Sequence, residues 1–243
     1  MKIVSYIFSS IFALVFFLIL LIFHPLQWIG LKFGYKTHKV IVDLLNWCLT
    51  KSLLLIGNIV SFKNHFPIPE NTTIIFAANH QSLFDIPPMI WSLRKHHPKF
   101  VSKIELGKGI PSVSFNLKYG GAALIDRRDP NQALRELENF GKRIHDNNWS
   151  AVIFPEGTRS RDGKPKKFSL NGLKMMAKHN PEAYIVPISI NNSWRVFKYG
   201  KFPLGMFHKI RVETHQPIPL KNADLKEVFS KMETTIKENI IVE

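Results

Sequence analysis

Two short polar motifs, each placed at the end of an apolar run, constrain the fold of this chain most. The first motif covers residues 79–85 and reads NHQSLFD; it follows the apolar run 73–78. The second motif covers residues 154–160, reads FPEGTRS, and begins where the apolar run 151–154 ends. Short apolar runs of this kind are typical of buried strands. Because open α/β folds bind ligands at the carboxyl ends of their strands, we expect both motifs at one edge of a sheet, in one shared site.

The chain after residue 69 alternates short apolar runs with amphipathic segments, which predicts an α/β fold with a mixed sheet flanked by helices. Asp129 followed by Pro130 predicts the start of one helix, and a C-terminal helix is expected to start near Asn222. The predicted strands cover residues 73–78, 100–101, 122–125, 151–154, 184–190 and 210–214.

The N-terminal part differs from the rest, because residues 4–23 contain no charged side chain. As a helix this run is about long enough to span the hydrocarbon core of a bilayer, so we predict a membrane-inserting helical segment. A buried core helix is the alternative, although a helix that is apolar on every side is unusual in a domain this small. A cleaved signal peptide fits less well, because no small-x-small cleavage site follows the long run. Lys32, Lys36 and Lys39 follow the run and only Lys2 precedes it, so the α/β domain is expected on the cytoplasmic side.

A second apolar stretch, residues 40–62, is interrupted by polar residues. Two structures fit this stretch. It could be a re-entrant or interfacial helix that forms a hairpin with the first segment, or a helix packed on the domain. We therefore predict an N-terminal membrane-associated helical segment over residues 1–65 and an α/β domain over residues 66–243.

The charge balance predicts an anionic partner. Lysine and arginine number 33 against 18 aspartates and glutamates, which gives a formal charge of +15. Anionic lipid, a phosphorylated substrate and an acidic protein all fit this surplus, whereas the absence of an RNA- or DNA-binding motif argues against nucleic acid. The single cysteine, Cys48, excludes an internal disulfide and a multi-cysteine zinc site. With no His-Glu-x-x-His motif in the sequence either, no metal site is predicted.

His80 and Asp85 are the predicted catalytic pair. A neutral imidazole can take a proton from a hydroxyl near neutral pH, and a carboxylate bonded to its other ring nitrogen fixes the tautomer. The alternative is structural: His80 ends a strand, and Asp85 caps the helix that Pro87 opens. The second motif supplies an acid and a base for the same site, and for that reason we prefer the catalytic interpretation.

Both motifs resemble the signature blocks of the glycerolipid acyltransferase family, most closely those of the 1-acylglycerol-3-phosphate acyltransferases. Residues 121–127 (GAALIDR) resemble the next block, with Leu124 where an aromatic residue is common, and residues 186–188 (VPI) resemble the last block. The resemblance extends over residues 70–215 and identifies 66–243 as an acyltransferase domain. It implies a membrane-associated enzyme that moves a fatty acyl group from a thioester to lysophosphatidic acid, giving phosphatidic acid in phospholipid synthesis.

The resemblance also implies partners and alternatives. The acyl donor would be acyl-coenzyme A or an acyl carrier protein thioester, with membrane lipids as further partners and no other cofactor. Another lysolipid acceptor is the nearest alternative, and a basic membrane-docked binding protein that has lost catalysis is a more distant one. No serine lies in a Gly-x-Ser-x-Gly elbow, so direct attack by the acceptor is favoured over a covalent acyl-enzyme.

The same resemblance assigns the acceptor to the second motif and to Arg127. An arginine can hold a phosphate through two hydrogen bonds, and a glycine lets a ligand approach the backbone closely. Glu156 would repel a phosphate, so a ligand hydroxyl or a neighbouring arginine is its expected partner; a surface turn with a local ion pair is the alternative. Lys103 rests on a looser match. The predicted substrate-binding residues are Lys103, Arg127, Glu156, Gly157, Thr158 and Arg159.

Overall fold

The computed structural model of the protein describes residues 2–241. The helices are α1 (Lys2–Lys32), α2 (Tyr35–Ser52), α3 (Ile86–Ser92), α4 (Val113–Tyr119), α5 (Pro130–Asp146), α6 (Asn171–His179) and α7 (Leu225–Glu238). The strands are β1 (Ile59–Asn64), β2 (Ile74–Ala78), β3 (Pro98–Lys103), β4 (Ala123–Ile125), β5 (Ser150–Ile153), β6 (Tyr184–Asn191), β7 (Lys209–Thr214) and β8 (Ile218–Pro219).

Within residues 2–241 the strands form one eight-stranded mixed sheet in the order β1-β7-β6-β2-β5-β3-β4, with β8 beside β6. The central strands β6, β2, β5 and β3 are mutually parallel, whereas β7 and β8 run antiparallel to β6. Every residue of β2 and β5 is buried, which explains their uninterrupted apolar runs: a parallel sheet is covered on both faces. The predicted α/β fold with a mixed sheet is confirmed, and the carboxyl ends of β2, β5 and β6 meet at one edge.

Two apolar cores cover the two faces of the sheet. Ile74 and Phe76 of β2 point into the core that includes residues of α1, α2 and α3, whereas Ile75 and Ala77 point into the core formed with α5, α6 and α7. This alternation follows from the two-residue period of a strand. The N-terminal helices therefore cover one face of the sheet.

Helix α1 packs along the domain through hydrogen bonds as well as apolar contacts. Near its start, the Ser5 hydroxyl donates to the Leu204 carbonyl at 2.6 Å and Ser9 accepts from the Leu204 amide at 2.9 Å. Further along, the Ser112 hydroxyl donates to the Leu20 carbonyl at 2.6 Å. The opposite face of α1 is apolar and exposed, and the helix is long and apolar enough to cross a membrane by length and composition.

The structure extends and corrects the predicted elements. The apolar stretch 40–62 divides into α2, a turn at Gly57 with φ +66°, and the strand β1, which pairs with β7. The sheet thus begins before the predicted boundary at residue 65, and the division into domains stays a prediction. The C-terminal helix starts at Leu225 instead of near Asn222, because the Asp224 side chain caps it by accepting from the Lys226 amide at 2.9 Å.

Candidate active site

The first motif follows β2, and hydrogen bonds to the neighbouring strand β6 fix its geometry. The Asn79 side chain pairs with the backbone of Ile190 in β6, accepting from its amide at 2.7 Å and donating to its carbonyl at 2.8 Å. The next residue, His80, turns its ring toward Asp85, and His80 Nδ1 lies 2.8 Å from Asp85 Oδ2. The imidazole is half-buried and the carboxylate is fully buried. The two predicted catalytic residues are therefore in direct contact.

Asp85 also has the capping role that was the alternative interpretation. Its Oδ2 accepts from the amides of Gln81 at 2.7 Å and Ser82 at 2.9 Å, at the start of the 3₁₀ turn Leu83–Asp85. Hydrogen bonds to a buried carboxylate stabilise its charged form and fix its position. The cap and the histidine contact thus coexist, because the cap positions the carboxylate that contacts His80.

Ser193 completes the surroundings of Asp85, and the sequence analysis missed it. Its hydroxyl donates a short hydrogen bond to Asp85 Oδ1, and its amide donates to Gln81 Oε1 at 3.1 Å. Ser193 is fully buried and lies two residues beyond the end of β6. Its position directly after a predicted strand was the available signal, but nothing in the local sequence marks it as a partner of a residue 108 positions away.

Glu156 joins the second motif to the first. Its Oε1 accepts from the His80 amide at 2.8 Å and its Oε2 from the Lys166 amide at 3.0 Å. Burial raises the pKa of Glu156, and these two hydrogen bonds oppose that effect. The expected partner of Glu156, a neighbouring arginine or a ligand hydroxyl, is replaced in the structure by two backbone amides, because the carboxylate lies behind His80. There the Ser160 amide donates to the His80 carbonyl at 2.7 Å, and the Phe154 ring stacks on the imidazole at 4.0 Å.

Three predicted cations line the same cavity as His80, whereas Asp85 does not line it, and we call the cavity side the front of His80. Lys103 ends β3, Arg127 follows β4, and Arg159 belongs to the second motif. Partial desolvation lowers the pKa of Arg127, the Glu105 carboxylate raises it, and the charge of Arg159 lowers it. Two guanidinium groups that repel each other in this way form a site suited to an anion. One cavity of about 760 Å³ is lined by His80, Lys103, Arg127, Gly157, Thr158 and Arg159.

At the second motif, the cavity is lined by main chain that no side chain covers. Gly157 has φ +66°, and a side-chain carbon built there would meet no atom within 4 Å. A ligand can therefore approach the main chain where a side chain would otherwise stand. Arg161 lines the same cavity, and the sequence analysis did not single it out. Within residues 2–241, no group of three or more His, Cys, Asp or Glu side chains is placed to hold a metal ion.

The cavity becomes apolar away from the cations. It extends between the N-terminal helices and β3, so that it joins a polar, cationic end beside His80 to a long apolar interior. An amphiphile with an anionic head matches this distribution of charge. The apolar wall includes Leu20, Val42, Leu45, Leu49, Ile90 and Phe100.

Known proteins are similar to this chain in sequence and in fold. The family described as Acyltransferase matches residues 59–191, which is more than half of the chain. A chloroplastic 1-acyl-sn-glycerol-3-phosphate acyltransferase of Brassica napus is 25% identical over 217 residues, covering 89% of this chain and 60% of the relative. The protein of that name from Helicobacter pylori is 35% identical over 126 residues, covering 51% of this chain and 50% of the relative. The chain thus spans about half to three fifths of the length of these two relatives.

A crystal structure supports the same assignment at the level of the fold. The 1-acyl-sn-glycerophosphate (LPA) acyltransferase PlsC from Thermotoga maritima superposes with a TM-score of 0.75 at 22% identity, over 98% of this chain and 93% of that one. At this identity the similarity shows the fold alone. The family match over residues 59–191 shows that the chain belongs to the acyltransferase family, and in sequence and fold it is similar to proteins named 1-acylglycerol-3-phosphate acyltransferases.

Proposed function

We propose that this protein transfers a fatty acyl group from an acyl thioester to lysophosphatidic acid and so produces phosphatidic acid. The observation that carries the proposal is the His80–Asp85 pair, with 2.8 Å between Nδ1 and Oδ2, in a cavity whose lining combines cations with a long apolar wall. An acyl chain fits the apolar interior, a phosphate monoester fits the cations, and a base stands between them. The names of the relatives from Brassica napus and Helicobacter pylori support the same acceptor.

His80 acts as general base in this proposal. Because its Nδ1 donates to the Asp85 carboxylate, Nε2 carries the free lone pair. Nε2 removes the proton of the acceptor hydroxyl while the hydroxyl oxygen bonds to the thioester carbonyl carbon. The carbon–sulfur bond then breaks, and the imidazolium returns the proton to the departing thiolate. Asp85 stabilises the imidazolium between these two proton transfers.

The cations hold the acceptor. Arg127 and Arg159 bind the phosphate monoester through charge-assisted hydrogen bonds, and Lys103 adds a third positive charge. Thr158 and the open backbone at Gly157 contact the glycerol part. Glu156 acts indirectly, since its carboxylate holds the main chain of His80 in place.

Membrane association follows from the outer face of the N-terminal helices. Exposed apolar residues continue from α1 onto α2, while the inner face of α1 is tied to the domain at both Leu204 and Ser112. We propose that α1 and α2 lie within one leaflet with this face in the lipid, because crossing the bilayer would break these ties. From Lys32, Lys36 and Lys39, which follow the apolar run, we propose that the domain lies on the cytoplasmic side. The exposed residues include Ile7, Ile11, Leu14, Phe17, Leu18 and Trp47.

Burial of an apolar face does not depend on salt, so the full-length protein is expected to stay with the membrane fraction through a high-salt wash and to leave it in detergent. Membranes from expressing cells, washed and then assayed by immunoblot, provide the measurement. Release by salt alone would show that attachment is electrostatic only.

The acyltransferase proposal is tested with purified protein and radiolabelled acyl thioesters. We expect label in phosphatidic acid when lysophosphatidic acid is supplied, and release without acceptor to be far slower. Acyl-coenzyme A and acyl carrier protein thioesters, offered separately, identify the donor. Faster transfer to lysophosphatidylcholine or lysophosphatidylglycerol would change the assigned acceptor and leave the enzyme class unchanged. No transfer to any lysolipid would contradict the proposal.

A further inference from the structure

A second polar group lines the same cavity, far from the catalytic end. We call it the inner polar cluster: Tyr35, Lys39 and Asp43 of α2, with His97 and Lys99 at the start of β3. Lys99 stands four residues before Lys103, the cation at the catalytic end. Along a strand this spacing corresponds to about 13 Å, and the apolar wall lies between the two ends. The cavity therefore has a cation at each end of an apolar interior.

Lys99 differs from the other lysine of the cluster in its contacts. Its ammonium group lies over the rings of Trp149 at 4.5 Å and Tyr35 at 4.8 Å. Lys39 instead pairs with Asp43 at 2.5 Å. Among residues 2–241, no carboxylate lies within ion-pair distance of Lys99 and no acceptor takes a hydrogen bond from it. Aromatic faces attract a cation but do not accept its three N–H bonds as an oxygen does.

Within the described residues, Lys99 is the lysine of the cluster without an ion-pair partner. Asp43 is the one carboxylate of the cluster; Lys39 pairs with it, and the charges of Arg94 and Lys99 also act on it. Burial and the Lys39 charge lower the pKa of Lys99 to about 8, and Asp43 opposes them, so Lys99 is mostly protonated at pH 7. Burial lowers the pKa of both His38 and His97, which favours their neutral forms, and Tyr35, bonded to His97 at 3.0 Å, is neutral as well. Lys99 is half-buried and lines the cavity without a hydrogen-bond acceptor among residues 2–241, so a ligand oxygen can accept the hydrogen bonds of its ammonium group.

We infer that Lys99 is the head-group end of a binding site for a free fatty acid, whose carboxylate contacts the ammonium and whose tail lies along the apolar wall toward His80. A carboxylate with one negative charge matches the one unpaired lysine among the described residues of the cluster, whereas a phosphate monoester matches the three cations at the other end. Binding of the fatty acid depends on the cavity alone and not on the proposed acyltransferase activity. The expected consequence, competition with the acyl chain of the donor, rests on the proposed function.

Decanoate and 1-decanol test this site, because they share a tail and differ in charge. Calorimetric titration into full-length protein in lipid nanodiscs, with empty nanodiscs subtracted, gives both affinities at pH 7. We expect decanoate to bind at least about tenfold more tightly than decanol, and Lys99→Met to remove that preference while leaving decanol binding unchanged. Lys118→Met is the matched control, since Lys118 also lies over an aromatic ring, Tyr119 at 5.2 Å, but does not line this cavity.

The pH dependence gives a second, independent readout. Between pH 7 and pH 9 Lys99 loses its proton and decanoate stays ionised, so the affinity of the wild type is expected to fall about tenfold. Lys99→Arg keeps its charge over this range and should keep its affinity at pH 9, which tests the site even if the methionine variant fails to fold. Equal binding of decanoate by wild type and Lys99→Met, or equal pH dependence in wild type and Lys99→Arg, would overturn the inference. Tighter, Lys99-dependent binding of decyl phosphate would assign the site to a phosphate head group and overturn the carboxylate assignment.

Discussion

The two sides of His80 are built in opposite ways. Behind it, Asp85 and Glu156 are buried, and several hydrogen bonds fix their carboxylates. In front of it, Arg127 and Arg159 are exposed side chains at the cavity. The difference indicates that the proposed base, His80, is positioned before any ligand arrives, whereas the side chains of Arg127 and Arg159 can adjust to a ligand. Changes behind His80 should therefore reduce turnover, and changes in front should weaken acceptor binding.

The largest expected effect is that of His80→Ala, which removes the base. Loss of a general base typically reduces kcat by about 10²- to 10⁴-fold. Steady-state assays on purified protein measure this, and circular dichroism checks that the variant is folded. Asp85→Asn should retain more activity, since it disturbs the orientation of the base and not the base itself. Near-normal turnover in folded His80→Ala protein would exclude the proposed mechanism.

The next largest effect is expected from Arg127→Ala and Arg159→Ala. Loss of a charge-assisted contact, about 1.5–3 kcal/mol, corresponds to an apparent KM for lysophosphatidic acid that is about 10- to 150-fold higher. The KM for the thioester should change little. Arg128→Ala is the matched control, because Arg128 is adjacent and largely exposed and pairs with Asp126 at 3.4 Å. An equal rise in both KM values, or an equal effect of the control, would remove these arginines from the acceptor site.

A smaller effect tests whether Ser193 positions Asp85 or only packs in the core behind His80. Ser193→Ala removes a net hydrogen bond of about 0.5–1.5 kcal/mol to Asp85, so kcat should fall about 2- to 10-fold with KM unchanged. Ser189→Ala is matched to it, since Ser189 is an equally buried serine of β6 whose hydroxyl lies 2.9 Å from His215 Nε2, outside the site.

Thermal melts should show similar destabilisation of the two serine variants, with only Ser193→Ala losing turnover and Ser193→Thr regaining part of it. If both alanine variants lose turnover in proportion to their stability, Ser193 has no positioning role.

The sequence predicted contacts between residues close in the chain better than contacts between distant ones. The pairing of His80 with Asp85 is local, five positions apart, and the strand-end argument placed both motifs at one edge. The contact of Ser193 with Asp85 depends on β6 lying beside β2, which hydrophobic periodicity does not determine. The second motif likewise located Glu156 but not its two backbone partners.

Fold prediction failed where elements are short or hidden in longer apolar runs. The strand β1 lies within the apolar stretch 40–62, where the 3₁₀ turn Leu53–Ile56 and the turn at Gly57 separate it from α2. The strand β8 has two residues, one of them a proline, so it offers no period to detect. Both strands are defined by their partners in the sheet and not by their own pattern.

Acceptor discrimination tests the central claim most directly. The measurement is kcat/KM for lysophosphatidic acid and for monoacylglycerol with the same acyl chain, in wild type and in the Arg127→Ala/Arg159→Ala double variant. We predict that the wild type prefers lysophosphatidic acid by at least about tenfold, and that the double variant loses this preference while its rate on monoacylglycerol changes little. An unchanged preference in the double variant would contradict the claim that these cations recognise the phosphate beside His80.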